Sequence, residues 1–306
     1  MRKIVVMGNG FVGTNIFNYF KQKGEDVVMA SIDDFSFLDK KATVDFLKKG
    51  NFDVVIHCAN YGGSRLTGYD KDNNQEVIDT NLQMFDNIVA GMRDDAVLVH
   101  FGSGAQYNKS RDLVNVKETS IGEVMPTDGY GLSKIYLSKA MAKRPNSYNL
   151  IIFGLYGRGE DYRFKFISNA ILKNLLHQPI VINQNVRFSY LFLSDMLKLI
   201  DLVSYGNLKH HEFNVTPDES ITLVEAANII NEISDFKSEI IILNDGMNFE
   251  YTGCNNYLKE NFPDFKFKSY KEGIKELYEY YKSILNTIDQ KEIIDDNFIA
   301  LCKTRK

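Results

Sequence analysis

Residues 5–17 read VVMGNGFVGTNIF and connect a short apolar run to the start of an amphipathic segment. Gly8, Gly10 and Gly13 have the spacing G-x-G-x-x-G at this junction. The first glycine of such a turn permits a tight bend, the second permits close approach of a diphosphate, and the third lets a helix pack on the strand. Free backbone N–H groups at the helix N-terminus favour an anion. We therefore predict a strand, a dinucleotide-binding turn and a helix here.

The segments that follow this turn alternate in the same way. Strands are predicted over KIVVM, DVVMA, DVVIHCA, AVLVHFGS and NLIIFG, and helices over 11–23, 39–49, 73–92 and 130–142. Nearly continuous apolar strands separated by helices indicate a parallel sheet covered on both faces. The predicted fold is therefore α/β, a doubly wound (Rossmann) parallel sheet with a smaller α/β C-terminal substrate domain. The first domain is predicted over 1–154 with contributions from about 186–205, and the second over 155–306.

The composition argues against several classes of protein. The chain has 306 residues, 44% of them hydrophobic, and a formal net charge of −4, so no basic surface suggests a nucleic-acid partner. The apolar runs are too short to cross a bilayer, which predicts no membrane partner. Three widely spaced cysteines and five histidines in unrelated contexts lack metal-ligand spacing. We therefore expect a cytoplasmic protein without a metal.

The choice between NAD and NADP depends on the end of the second predicted strand, VVMASIDDF. An acidic residue there selects NAD, and an arginine selects NADP. Asp33 and Asp34 come slightly late for this role, and Ser31 lies nearer the expected position. No Lys or Arg lies in the glycine turn or directly after the strand, which favours NAD and leaves NADP open. Asp33 and Asp34 have the alternative role of a solvated loop pair.

Two further segments have the residue types of a proton-transfer site. FGSGAQY, residues 101–107, places Ser103 at the end of the fourth predicted strand, and YGLSK places Tyr130 and Lys134 on one helix face. An adjacent ammonium lowers the pKa of a phenol, and a serine hydroxyl can hydrogen-bond a substrate oxygen. Each feature alone also occurs at an ordinary strand end or exposed helix face. Their order behind the glycine turn favours catalysis.

With these motifs the chain resembles the extended short-chain dehydrogenase/reductase family, in its nucleotide-sugar epimerase, dehydratase and reductase branch. The resemblance runs from Gly8 to about Tyr281 and rests on GNGFVG, FLD, DVVIHCANYGG, DTNLQMFDNI, FGSGAQY, YGLSK, FGLYGRGE and VRFSYLFLSDM. It implies that Tyr130 is the general acid/base and that Lys134 binds the nicotinamide ribose. It implies that Ser103 contacts the reacting sugar oxygen.

The resemblance also implies further binding residues. Asp39 is expected near the adenine, and Arg187 near the phosphates of a nucleoside-diphosphate sugar, with a surface charge before an apolar strand as its alternative. The predicted cofactor-binding residues are Gly8, Gly10, Phe11, Val12, Gly13, Asp39, Cys58, Ala59, Asn81, Tyr130 and Lys134. The predicted substrate-binding residues are Ser103, Gly104, Ala105 and Arg187. A homodimer through the helices predicted over 73–92 and 130–142 is implied as well.

Departures from the family narrow the expected reaction. Dehydratases of the branch have an Asp-Glu pair where this chain has Gly104 and Ala105, and epimerase–reductases have a cysteine at the place of Ala105. Gly154 stands where many relatives have asparagine. We expect hydride transfer at sugar carbon 4, as a 4-keto sugar reductase or dehydrogenase, with a 4-epimerase that holds NAD tightly as the alternative. A non-catalytic dinucleotide-binding sensor is a third possibility, against which the retained serine–tyrosine–lysine set argues.

Overall fold

The computed structural model describes residues 1–62 and 74–305. The elements up to residue 152 are β1 (Lys3–Met7), α1 (Phe11–Gln22), β2 (Asp26–Ala30), α2 (Lys40–Gly50), β3 (Val54–His57), α3 (Asn74–Gly91), β4 (Val97–Ser103), β5 (Leu113–Val116), α4 (Gly129–Met141) and β6 (Ser147–Ile152). The predicted strands and helices of this half are confirmed to within a few residues. Asn73, the first residue of one predicted helix, lies outside the described residues.

The second half contains shorter strands and most of the remaining helices. Its elements are β7 (Gly154–Tyr156), α5 (Phe166–Leu175), β8 (Ile180–Asn185), β9 (Arg187–Phe188), β10 (Tyr190–Phe192), α6 (Leu193–Val203), β11 (Glu212–Asn214), β12 (Ile221–Thr222), α7 (Leu223–Ile233), β13 (Ile240–Met247), β14 (Tyr251–Gly253), α8 (Asn256–Asn261), α9 (Tyr270–Ile284), α10 (Gln290–Ile294) and α11 (Asn297–Ala300). Short 3₁₀ helices cover Gly104–Tyr107, Glu118–Ser120 and Leu285–Thr287. Within the described ranges, no helix is long and apolar enough to span a membrane.

The main sheet has six parallel strands in the order β2-β1-β3-β4-β6-β11. The chain moves from β1 to one side for β2 and to the other side for β3, so the sheet has a topological switch point between β1 and β3. Ligands of doubly wound sheets bind at such a point, beyond the carboxyl ends of the strands. The predicted doubly wound α/β fold is confirmed.

Side chains of β1 explain why helices cover both faces of this sheet. Ile4 and Val6 are fully buried in one core, which they share with α1 and α6. Val5 and Met7 are fully buried in the other, which they share with α2, α3 and α4. Because successive side chains of a strand point to opposite faces, a continuous apolar strand requires a layer of helices on each side.

The second half builds its own core and a smaller sheet. Helices α5, α7 and α9 pack on β8 in a separate apolar cluster. A four-stranded sheet has the order β12-β9-β14-β5. Strand β5 comes from the first half of the chain and pairs with β14, whereas β11 crosses back to complete the main sheet. The two units therefore exchange strands, which brings the end of β4 close to β14.

Candidate active site

The glycine turn after β1 has the geometry that its spacing predicts. Gly8 has φ +120°, and a Cβ built on it would lie 2.9 Å from the backbone nitrogen of Ala59. A Cβ on Gly13 would lie 1.9 Å from the Gly8 carbonyl oxygen. Gly10 is the N-cap of α1, makes no side-chain cap, and has no atom within 4 Å of an added Cβ. The turn therefore leaves backbone N–H groups and open space for a diphosphate, so these residues fit a dinucleotide.

The loop after β3 forms the other wall of this switch point. The backbone N–H groups of Cys58 and Ala59 both donate to the Met7 carbonyl, at 2.9 and 2.8 Å. Strand β3 ends at His57 for this reason. Burial raises the pKa of the Cys58 thiol, which keeps it neutral. Asn81 is buried and exchanges hydrogen bonds of 2.9 Å with the backbone of Tyr61, so it holds the loop after β3 in place.

The two aspartates after β2 have different roles. The Asp34 carboxylate accepts from the backbone and hydroxyl of Ser31 at 2.8 and 3.2 Å, and so closes its own loop. Asp33 is exposed and accepts a 3.0 Å hydrogen bond from the Asn9 side chain inside the glycine turn. Asp33 is therefore the carboxylate that faces the cofactor turn. Asp39 is exposed and caps helix α2 through the backbone of Ala42, at 3.0 Å.

Ser103 ends β4 and caps the 3₁₀ turn that follows it. Its hydroxyl accepts from the Ala105 backbone at 3.2 Å, and its own N–H donates to the Gln106 side chain at 3.4 Å. The serine is 9% exposed. A capped strand end fixes the backbone while the hydroxyl remains at the edge of the sheet where ligands bind.

Helix α4 supplies the other two residues of the predicted set. Asp128 caps it by accepting from the Gly131 backbone at 2.9 Å, which places Tyr130 in its first turn. Lys134 lies one turn later, and its Nζ is 5.5 Å from the centre of the Tyr130 ring. Nζ also donates a 2.8 Å hydrogen bond to the carbonyl of Phe101 on β4. The structure therefore brings Tyr130 and Lys134 together at the end of the strand that carries Ser103.

The lysine is held in an unusual environment for an ammonium. Lys134 is 4% exposed, and burial lowers its pKa to about 7. The charged form of the lysine stabilises a neighbouring phenolate, and the neutral form can accept a proton. A lysine whose pKa is near 7 therefore suits a proton-transfer site.

Two buried histidines meet inside the sheet, contrary to the expectation of unrelated contexts. His57 on β3 and His100 on β4 are register partners, and their Nδ1 atoms are 3.2 Å apart. Burial lowers the pKa of both, that of His57 to about 3, so both rings are neutral. A hydrogen bond between the two Nδ1 atoms requires one to donate and the other to accept. The sequence could not predict this pair, because the two histidines are far apart in the chain and only the register of β3 and β4 places their rings side by side.

Gly104 and Ala105 follow Ser103 and are both buried. A Cβ on Gly104 would lie 2.6 Å from the Tyr251 hydroxyl oxygen and 2.7 Å from the Phe153 ring. At Gly154, a Cβ would lie 2.6 Å from the ring of Tyr190. Aromatic side chains therefore fill the space beside two glycines of the site.

Arg187 contacts the residue before β12 and the first turn of α7. Its guanidinium donates to the Ser220 carbonyl at 3.1 Å and lies 3.5 Å from the Glu225 carboxylate. The next residue, Phe188, pairs with Tyr251, which faces Gly104. Neighbouring residues of a strand point to opposite faces, so Arg187 lies on the far face of the small sheet. The expected contact of Arg187 with substrate phosphates stays a prediction.

Sequence reasoning missed Tyr251 and Phe153, which lie beside Gly104, and Phe188, whose ring lies next to that of Tyr251. No local signal marks them, since Tyr251 lies in a short strand of the second half. Its place in the site depends on pairing with β5 and β9.

The doubly wound parallel sheet and the glycine turn after β1 define a dinucleotide-binding protein with a Rossmann fold. A model of the NAD dependent epimerase/dehydratase family matches residues 4–216, and the chain belongs to that family.

Three known proteins show how far the similarity extends. The chain is 29% identical over 142 residues to GDP-L-colitose synthase of Yersinia pseudotuberculosis, a match that spans 45% of this chain and 46% of that protein. It is 23% identical over 308 residues to GDP-L-fucose synthase of Dictyostelium discoideum, covering 91% of this chain and 94% of that protein. The structure of GDP-mannoheptose C4 reductase from Campylobacter jejuni with NADP bound superposes with a TM-score of 0.75, at 18% identity, over 92% of this chain and 98% of that one. The last similarity shows the fold.

Proposed function

We propose that the protein is a nucleotide-sugar C4 reductase, which transfers a hydride between NAD(H) and a 4-keto sugar linked to a nucleoside diphosphate. The observation that carries the proposal is the position of Lys134, hydrogen-bonded to Phe101 on β4 and 5.5 Å from the Tyr130 ring. The names of the two curated relatives favour a GDP-linked sugar.

In this reaction each residue has a separate task. The bound dinucleotide supplies the hydride that forms the new C–H bond at carbon 4. Tyr130 donates its phenolic proton to the carbon 4 oxygen, so the ketone becomes a hydroxyl and the tyrosine becomes a phenolate. The Lys134 ammonium stabilises that phenolate, and a proton from solvent then restores the phenol. Ser103 hydrogen-bonds the same sugar oxygen and orients it.

The residues beside Ser103 favour reduction without epimerisation at carbons 3 and 5. Gly104 and Ala105 carry no group that can remove or deliver a proton. A Cβ at Gly104 would collide with Tyr251 and Phe153, so a larger side chain has no room there. This distinguishes the proposed reaction from that of a combined epimerase–reductase.

NAD(H) is the favoured cofactor. Asp33 accepts a hydrogen bond from Asn9 in the glycine turn, and a carboxylate there would hydrogen-bond a ribose 2′-hydroxyl and repel a 2′-phosphate. The heptose reductase of similar fold holds NADP. We therefore infer that this chain differs from that protein in cofactor choice.

A 4-epimerase is the second candidate, because a preference for NAD over NADP suits a cofactor that is reduced and reoxidised in one cycle. The two candidates differ in how the cofactor is held. The small molecules released on denaturing the purified protein distinguish them. Close to one equivalent of NAD indicates an epimerase, and its absence indicates a reductase that exchanges cofactor at each turnover.

The direct test is turnover of a GDP-linked 4-keto-6-deoxyhexose with NADH. Loss of NADH absorbance and a product heavier by one hydride and one proton would support the reductase. Dinucleotide binding without turnover of any 4-keto sugar nucleotide would contradict it and favour the sensor. Absence of dinucleotide binding would contradict both the reductase and the 4-epimerase.

A homodimer through α3 and α4 is part of this proposal. The two helices pack side by side, and Tyr136 on α4 is 39% exposed. Analytical ultracentrifugation of the wild type and of Tyr136→Glu tests it, with the wild type expected to sediment as a dimer and the variant as a monomer.

A further inference from the structure

Three aromatic side chains form a wall beside the serine that ends β4. We use the name aromatic wall for Phe153, Phe188 and Tyr251. The centre of the Tyr251 ring lies 5.0 Å from that of Phe153 and 5.8 Å from that of Phe188. The Tyr251 hydroxyl marks the end of the wall, at the point where a Cβ on Gly104 would lie only 2.6 Å from it.

Strand register explains why Tyr251 faces the site. Tyr251 pairs with Phe188 on one side and with Leu113 on the other, so these three side chains share a face of the small sheet. Its strand neighbours Glu250 and Thr252 line a polar cleft of about 240 Å³ with Asn115 and Ser189. Alternation therefore separates Tyr251 from the polar face and directs its ring towards Gly104.

The wall has the chemistry of a sugar-binding surface. A pyranose ring presents an apolar C–H face and a rim of hydroxyl groups. Binding sites for such ligands combine aromatic surface with a few placed polar groups. The wall offers aromatic surface and one phenolic hydroxyl, and Gly104 leaves room for that hydroxyl beside Ser103.

We propose that Tyr251 is a substrate-binding residue whose ring packs on the sugar and whose hydroxyl hydrogen-bonds a sugar oxygen next to the reacting carbon. This inference rests on the proposed function, because it names the part of the substrate that the site holds. The contact fixes which carbon of the sugar faces Tyr130. A sugar that lacks the bonded oxygen is then a poorer substrate, because it cannot form this hydrogen bond.

The first experiment compares Tyr251→Phe with wild type on a GDP-linked 4-keto-6-deoxyhexose and NADH. The KM for the sugar nucleotide is expected to rise about three- to tenfold, with kcat, its pH profile and the KM for NADH unchanged. Tyr257→Phe is the matched control, because that half-buried ring stacks on His210, 3.8 Å away, outside the site. An unchanged sugar KM in an active enzyme, or an equal rise for NADH, would overturn the proposal and leave the proposed function standing.

The second experiment needs no activity. Gly104→Ala is made in wild type and in a Tyr251→Ala background, and the melting temperature of each is measured. In wild type the added methyl meets Tyr251 and Phe153, and we expect a fall of about 3 °C or more. The fall is expected to be clearly smaller once Tyr251 is removed. Equal falls in the two backgrounds would show that Phe153 accounts for the whole clash and that Tyr251 does not restrict the space at Gly104. That result would overturn the proposal, even for a chain that reduces no sugar nucleotide.

Discussion

Lys134 donates a 2.8 Å hydrogen bond from its Nζ to the carbonyl oxygen of Phe101, on the strand that ends at Ser103. This bond joins helix α4 to strand β4 and fixes the lysine one helical turn from Tyr130. Displacement of the helix would therefore move the phenol and the ammonium together away from the serine on β4.

Removal of the phenolic hydroxyl of Tyr130 tests proton transfer directly. Tyr130→Phe is expected to lower kcat about 10²- to 10⁴-fold, because the ketone oxygen loses its proton donor. Binding of NADH, followed by its fluorescence, should stay close to wild type. Tyr205→Phe is the control and should retain full turnover, because Tyr205 is 65% exposed and packs on Arg2, at the opposite end of the sheet from the site. Wild-type turnover in Tyr130→Phe would exclude it as the general acid.

Lys134→Met is expected to abolish turnover and to change the pH dependence of stability in the cofactor-free protein. The folded pKa of Lys134 is lowered to about 7 from 10.5, so between these values the unfolded chain binds more protons. The free energy of unfolding that depends on this lysine therefore increases as pH rises from about 7 to 10.5. Below about pH 7 the lysine is charged in both states, and its burial then destabilises the folded state most. The gain in melting temperature on substitution should be largest at or below about pH 7 and vanish towards pH 10.5. A gain that does not vary with pH would contradict the assignment.

Glu160 is expected to make the stability of the fold decrease as pH rises, the opposite of the effect of Lys134. It is 4% exposed, accepts a hydrogen bond from Ser168, and burial raises its pKa to about 8 from 4.5. The folded state binds the Glu160 proton more tightly than the unfolded state does. The contribution of this proton to the stability of the fold is therefore complete below pH 4.5 and is lost as pH rises through about 8. In Glu160→Gln the melting temperature should fall less between these pH values than in wild type. The exposed Glu123→Gln should leave the profile unchanged.

Cofactor choice depends on the carboxylate next to the glycine turn. Asp33→Asn should weaken discrimination between NAD and NADP by about tenfold, because repulsion of a 2′-phosphate is lost. The neighbouring Asp34→Asn is the matched control and should keep the wild-type preference, since Asp34 bonds Ser31 in its own loop. Dissociation constants for the six protein–cofactor pairs, wild type and the two variants each with NAD and NADP, measure this preference. Equal preferences for NAD over NADP in the two variants would show that Asp33 does not select the cofactor.

Reduction in D₂O with unlabelled NADH tests for hidden epimerisation. The product is expected to carry no carbon-bound deuterium at carbons 3 and 5 beyond a control without enzyme. The reason is that Gly104 and Ala105 carry no acid or base. Mass spectrometry and NMR of the purified sugar nucleotide measure it. Enzyme-dependent deuterium at either carbon would require a proton-transfer group elsewhere in the site.

Features set by local spacing were predictable from sequence. The glycine spacing after β1 predicted a tight turn, and Gly8 has φ +120° and no room for a side chain. The four-residue separation of Tyr130 and Lys134 predicted a shared helix face, and Lys134 lies 5.5 Å from the Tyr130 ring. The alternation of apolar strands and helices predicted the parallel sheet. Each depends on residues close in the chain, whose geometry the backbone itself constrains.

Features that depend on contacts between distant strands required the tertiary structure. The resemblance suggested Arg187 as a phosphate contact, which stays a prediction, and strand pairing places the next residue, Phe188, beside Tyr251. The same register places Tyr251 over Gly104, and His57 against His100. In a strand a shift of one residue exchanges the two faces, and pairing across the sheet fixes that shift. The sequence by itself therefore determined the turn, the helix face and the fold class, whereas the tertiary structure alone decided which side chains of the second half line the site.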